Sequence, residues 1–204
     1  MRYDADHKAE SRARILGAAA ARFRAEGAEA VRVIDVMREA GMTQGGFYRH
    51  FADKDELLHS AIASSFDEVA TRITRLVSGV PRTRALRTVI DFYLSEEHMR
   101  RPDSGCALAA LGTEMARMAP APKRAISRAL DAYADRLDFL MPGESAAERR
   151  AAFLVLFPAM AGCIMSARAF SSKERQRQIL AGGREFFTRA FCGDGANTTP
   201  EVTS

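Results

Sequence analysis

Residues 41–58 read GMTQGGFYRHFADKDELL, and the order of turn-formers and caps in this stretch decides the fold. Gly41 ends a short helix predicted from Val33 to Ala40, in which Val33, Val36, Met37 and Ala40 point inward. After Met42, Thr43 is placed to cap a new helix by accepting a backbone N–H on its hydroxyl. That helix spans Gln44 to about Phe51. Asp53 then caps a third helix, with Glu56 three residues later in a capping-box arrangement. Two short helices joined across Gly-Met-Thr form a helix-turn-helix by spacing alone.

Working outward, the rest of the chain reads as helix. Upstream, Lys8 to about Ala25 carries an apolar stripe of Ile15, Leu16, Ala19, Ala20 and Phe23, closed by Gly27. Downstream, Leu57, Leu58, Ile62, Phe66, Val69, Ile73 and Leu76 recur at helical spacing to about Val77, where Ser78-Gly79-Val80-Pro81 stops them. Further helices are predicted over Arg84–Met99, Cys106–Met118 (closed by Pro120 and Pro122), Lys123–Met141, Ala146–Phe170 and Lys173–Phe191. The expectation is an all-α chain of about nine helices. Residues 1–58 form a three-helix helix-turn-helix domain, residues 59–192 a larger helical domain, and residues 193–204 a polar, unstructured tail.

Composition narrows the function classes. The chain has 204 residues, 47% of them hydrophobic and 27% charged, as in an ordinary globular protein. Three dispersed cysteines, Cys106, Cys163 and Cys192, give neither a disulfide framework nor a CxxC pair. The polar start MRYDADHKAESRAR lacks the apolar region of a secretory leader, so a reducing cytoplasm is expected. The net charge of +4 is a weak pointer, because residues 1–60 hold ten Lys/Arg and ten Asp/Glu; any nucleic-acid surface there must arise from segregation of charge by face. Residues 151–167, AAFLVLFPAMAGCIMSA, are uncharged but shorter than the ~20 residues of a membrane span, so a buried or interface helix is expected, with no membrane partner. Histidines His7, His50, His59 and His98 have no HxxxH or HExxH spacing, and no phosphate loop or GxSxG elbow is present. An enzyme, a metal or another cofactor is therefore not expected.

The 41–58 stretch closely resembles the signature of the TetR family of repressors, with its capped recognition helix, Tyr48, the His50-Phe51 pair and the Lys54–Leu57 helix start; ILGAAAARFRAEG upstream resembles the family's first helix. The resemblance is specific over about residues 11–60 and architectural beyond. GCALAALGTEMAR also resembles the sixth helix of one branch. The chain departs from the pattern at Arg32 and Ile34, where a cap and a polar residue are usual, and at the paired Gly45 and Gly46. The resemblance implies a transcriptional repressor that binds pseudo-palindromic double-stranded operator DNA as a homodimer and is released by a small, mainly apolar effector.

Roles follow from position. Gln44 lies in the first turn of the recognition helix, where an amide can pair with adenine, and Tyr48 shares its face four residues on. Gly45 permits close approach to DNA. Thr43, Arg49 and Lys54 are placed for phosphates, Lys54 at a helix N-terminus where an anion would offset its unfavourable position. His50 reads equally as a backbone contact or a packing residue. Phe47 and Phe51 read as core.

In the larger domain, the resemblance implies dimerisation through the last two helices: the stripe Gly182, Gly183, Phe186, Phe187 and Phe191 is predicted to pack against itself and the Phe153–Ile164 helix in a four-helix bundle; the same stripes also suit a monomer core. The resemblance puts an effector pocket among the central helices, with Phe92, Tyr93, Met99, Leu111, Met115, Tyr133, Phe157 and Met160 as candidates; the same spacing also suits plain core. Cys106, at a helix start, carries an alternative: a repressor that senses oxidants or electrophiles through its thiol.

Overall fold

The computed structural model describes residues 2–193. Among these residues there are nine α-helices, three short 3₁₀ segments and no strand. The helices are α1 (Arg2–Glu26), α2 (Val33–Glu39), α3 (Lys54–Leu76), α4 (Arg82–Tyr93), α5 (Glu96–Arg100), α6 (Ala107–Arg117), α7 (Pro120–Leu137), α8 (Ala146–Ala169) and α9 (Lys173–Cys192). The tail expected to be unstructured lies outside the described residues from position 194 on.

The N-terminal unit is α1, α2 and a 3₁₀ helix over Gln44–Arg49. Ile15, Ala19, Phe23, Val36, Met37, Phe47 and Phe51 close its core, all at or near zero exposure. Gly27 (φ 81°) and Gly41 (φ 73°) sit in the left-handed region, which the two turns require and other residues adopt at a cost. α3 leaves this unit as a long rod, packing on α1 at one end and along α7. The larger unit stacks α8 on α9, with α4 against α9 and α6 against α8. One continuous apolar cluster runs through both units.

Several boundaries differ from the sequence expectation. The recognition element is a 3₁₀ helix rather than an α-helix, with i→i+3 bonds from Gly46 N to Thr43 O and from His50 N to Phe47 O. Six residues opening on two glycines lack the propensity to hold an α-helix. Thr43 is its N-cap residue, but its hydroxyl makes no capping bond. The single helix expected over 84–99 is two, because the Ser95 hydroxyl accepts the His98 amide at 3.1 Å and starts α5 afresh after Leu94. Pro120 does not merely close α6: it occupies the first position of α7, where its missing N–H is no loss. Cys106 is the N-cap of α6 rather than a residue of its first turn.

α8 is long and apolar enough to cross a membrane by length and hydropathy. In the fold, one of its faces (Phe153, Leu156, Phe157, Met160, Ile164) is buried against neighbouring helices, while Leu154, Val155 and Met165 are exposed on the other. Ser145 and Glu148 form a complete capping box at its start.

Candidate nucleic-acid interface

Burial of Phe47 and Phe51 sets the face that the recognition element turns outward. Both are 2% exposed and stacked at 5.8 Å. Their neighbours Thr43, Gln44, Gly45 and Arg49 are exposed, and Tyr48 projects with 75% of its surface free. The Tyr48 ring stands edge-on to Phe47 at 5.2 Å, so its position is fixed at the base while its hydroxyl end is open.

Lys54 opens α3. The Asp53 carboxylate accepts the Glu56 amide at 2.7 Å, and the Glu56 carboxylate accepts the Ala52 amide at 2.7 Å, one residue before the cap. The Lys54 ammonium donates to the Glu29 carbonyl at 3.1 Å, which draws it toward the loop between α1 and α2 and leaves further donors on the nitrogen. Arg12 of α1 lies 4.2 Å over the Phe51 ring and donates to the His50 carbonyl at 3.5 Å and the Ser60 hydroxyl at 3.4 Å. It therefore locks the end of the recognition element to α1 and α3.

α1 adds residues that sequence reasoning missed. His7, Lys8, Ser11 and Arg14 line an open cleft with Gly41, Met42, Thr43, Gly46, Arg49 and His50. His7, Ser11 and Arg14 recur at i, i+4 and i+7, so helical spacing alone could have shown them on one face. The cleft is electropositive. Partial burial, and then the charges of Lys8, Arg12 and Arg49, hold the His50 imidazole below its ordinary pKa. On the other side of the unit, Asp35 pairs with both Arg32 (2.7 Å) and Arg38 (3.1 Å), which ties up those two cations near the exposed Ile34.

The residues expected around an effector gather elsewhere, in the middle of the larger unit. Tyr93, Met99, Leu111, Tyr133, Phe157 and Met160 are buried; Phe92 and Met115 are half-buried. Phe153, which the sequence reading left out of this set, stacks on Phe157 at 4.6 Å. His98 is also buried there, its Nδ1 at 2.6 Å from the Tyr93 carbonyl. Cys106 is 5% exposed. Among the described residues no group of three His, Cys, Asp or Glu is gathered as for a metal ion.

Residues 15–61 match the family described as bacterial regulatory proteins, tetR family. The HTH-type transcriptional regulator YfiR of Bacillus subtilis (strain 168) is 35% identical over 63 residues, which is 31% of each chain; the chain thus spans about a third of that relative. A TetR transcriptional regulator from Chloroflexus aurantiacus J-10-FL superposes with a TM-score of 0.65 at 21% identity, covering 94% of this chain and 98% of the other. A regulator from Saccharomonospora viridis in complex with choline gives 0.65 at 16%, covering 90% and 98%. At these identities the solved structures show the fold. The relatives are transcriptional regulators, not enzymes. Residues 15–61 thus match the helix-turn-helix of the tetR family of bacterial regulatory proteins, and the described chain shares its all-helical fold with TetR regulators of known structure.

Proposed function

We propose that the protein is a cytoplasmic, homodimeric repressor whose residues 1–58 bind a pseudo-palindromic operator and whose residues 59–192 bind a small, mainly apolar effector that releases it. The observation that carries the DNA reading is the pinned yet exposed face of Thr43, Gln44, Tyr48 and Arg49 beside the cleft of Lys8 and Arg14. Gln44 and Tyr48 would read bases and sugar, while Thr43, Arg49, His50 and Lys54 would hold phosphates. A side chain at Gly45 would meet nothing within 4 Å of its Cβ, and this open space suits close approach of a DNA backbone.

The dimer reading rests on α8 and α9. Leu154, Val155 and Met165 recur at i, i+1 and i+11 on the outward face of α8, and Phe186 is 58% exposed on α9. In α9 the expected stripe divides: Gly183 and Phe187 face inward to Leu94 and Cys163, while Gly182 and Phe186 face out. An outward apolar face on two adjacent helices is what a twofold four-helix interface requires. The effector reading is supported by the aromatic cluster of Tyr93, Tyr133, Phe153 and Phe157, and by the choline held in the Saccharomonospora viridis structure.

A second reading keeps the DNA module and makes Cys106 the sensor. In its favour, Cys106 is the N-cap residue of α6; against it, the residue is closed to solvent.

Footprinting of the DNA beside the protein's own coding region tests the proposal. Two protected half-sites about one helical turn apart, or a multiple of it, are expected; no protection, or a single asymmetric footprint, would overturn it.

A further inference from the structure

Two phenol oxygens lie unpartnered inside the larger unit. Tyr93 is 2% exposed and Tyr133 3%, and neither hydroxyl has a hydrogen-bonding oxygen or nitrogen partner among the described residues. Burial, reinforced by the neighbouring Cys106, holds both phenols well above their ordinary pKa, so both keep their proton to donate. Leaving a hydroxyl buried without a partner costs on the order of 1–3 kcal/mol, and phenylalanine would avoid it.

Packing does not require the oxygens. Tyr93 meets Phe157 edge-on at 6.1 Å, and Tyr133 meets Phe153 and Phe157 edge-on at 5.2 and 5.4 Å; rings alone would make these contacts. Yet the two tyrosines come from separate helices, α4 and α7, and both rings lie against Phe157 of α8. A thiol is too weak a partner to satisfy their hydroxyls. Arg168 donates to the Met99 carbonyl at 2.8 Å and the His98 carbonyl at 3.3 Å, and a guanidinium has no acceptor for a phenol proton. α6 is itself jointed beside this place: Leu111 is buried yet departs from helical geometry (φ −126°, ψ 17°), and Gly112 follows it.

We propose that Tyr93 and Tyr133 are the polar end of the effector site and take a compact neutral carbonyl compound, a ketone, ester or amide, whose oxygen receives both phenol protons. One carbonyl oxygen has two lone pairs and can accept both donors. The apolar body of the ligand lies against Phe153 and Phe157. Since both rings are closed to solvent, the ligand enters by movement of α6 at Leu111, and α6 follows the 102–104 turn, whose Asp103 carbonyl accepts from Arg24 of α1 at 2.9 Å. This deepens the effector reading and rests on it.

The test compares acetophenone with isopropylbenzene, which has the same heavy-atom skeleton with a methyl group in place of the oxygen. Wild type and the Tyr93→Phe/Tyr133→Phe variant are melted alone and with each probe, and the binding of operator DNA is followed on the same samples. The expected result is that wild type binds acetophenone about 10-fold more tightly than isopropylbenzene, that the variant loses this preference, and that the variant alone melts no lower than wild type. Equal binding of the two probes by wild type would overturn the proposal. So would a variant that melts several degrees lower, which would show hydroxyls serving the fold through an internal water. Operator binding without a carbonyl preference sinks this inference and spares the regulator reading; a carbonyl preference without operator binding does the reverse.

Discussion

The guanidinium of Arg24, near the end of α1, donates to the carbonyl of Asp103 through Nε at 2.9 Å and Nη2 at 2.6 Å. Arg24 is only 7% exposed, and it also bonds the Ser65 hydroxyl and stands 3.7 Å from Glu68. Arg72 of α3 donates to the next carbonyl, Ser104. Arg168 of α8 donates to those of Met99 and His98. Three arginines from three helices thus hold one segment, residues 98–104, that leads into Cys106 and α6. The segment joins the helix-turn-helix unit, the aromatic cluster and the helix with the exposed apolar face.

Arg24→Met is expected to keep the packing of the stem and lose the donors. The Asp103 carbonyl, left without its two donors, should lower stability by about 1–3 kcal/mol, a fall of ~2–4 °C in melting temperature for each kcal/mol. Hydrogen exchange supplies the local check: amides near the end of α1 and in the 102–105 turn should lose protection together. Loss confined to α1 would show that the two are not coupled.

Cys106→Ala separates the two sensing readings. A repressor governed by a bound effector should still be released from DNA by that effector after the thiol is gone. A repressor that loses all response, while wild type responds to oxidant or electrophile alone, would make the thiol the sensor.

His98 gives a pH dependence. Burial, then the charges of Arg168 and Arg72, hold its pKa below the ordinary value, opposed by its bond to the Tyr93 carbonyl. The unfolded chain therefore takes the proton more readily, and the fold should lose stability as pH falls through about 6.5. His50 is shifted the same way but is far less buried. Melting curves between pH 7.5 and 5 should fall more steeply for wild type than for His98→Gln, and parallel curves would assign the dependence elsewhere.

The outward face of α8 and α9 predicts the assembly. Val155→Glu/Phe186→Glu places charge where apolar side chains are exposed, 59% and 58% respectively. If these are central interface residues, each change should weaken self-association by ~2 kcal/mol or more, roughly 30-fold. Sedimentation velocity should show a dimer become a monomer with its helical content unchanged; a wild-type monomer would remove the interface.

Much of this architecture was legible because strong local signals agree with the packing. Gly27 and Gly41 mark turns that need positive φ, Asp53 caps α3, and the Ile15–Phe23 stripe fits its core. The ends of α8 and α9 fall within a residue of expectation. The misses have physical causes. Ser95-Glu96-Glu97 is a helix start hidden inside an apolar period, and period outweighed cap. Pro120 has opposite meanings at the end and at the first position of a helix. The cleft residues His7, Lys8 and Arg14 were overlooked because a helical face shows only when spacing is applied to polar positions. Contacts such as Arg24 with Asp103, 79 residues apart, leave no local trace. The same is true of the meeting of Tyr93 and Tyr133 on Phe157.

The salt dependence of operator binding, read by anisotropy for wild type, Tyr48→Ala, Arg49→Ala and Lys54→Ala, tests the central claim most directly. Each phosphate contact contributes about 0.9 to the log–log slope. Removing Arg49 or Lys54 from both copies of a dimer should therefore flatten the slope by about 1.8, whereas Tyr48→Ala should weaken binding and leave the slope alone. Affinity and slope indifferent to all three changes, or no binding by wild type at low salt, would contradict the assignment of this face to DNA.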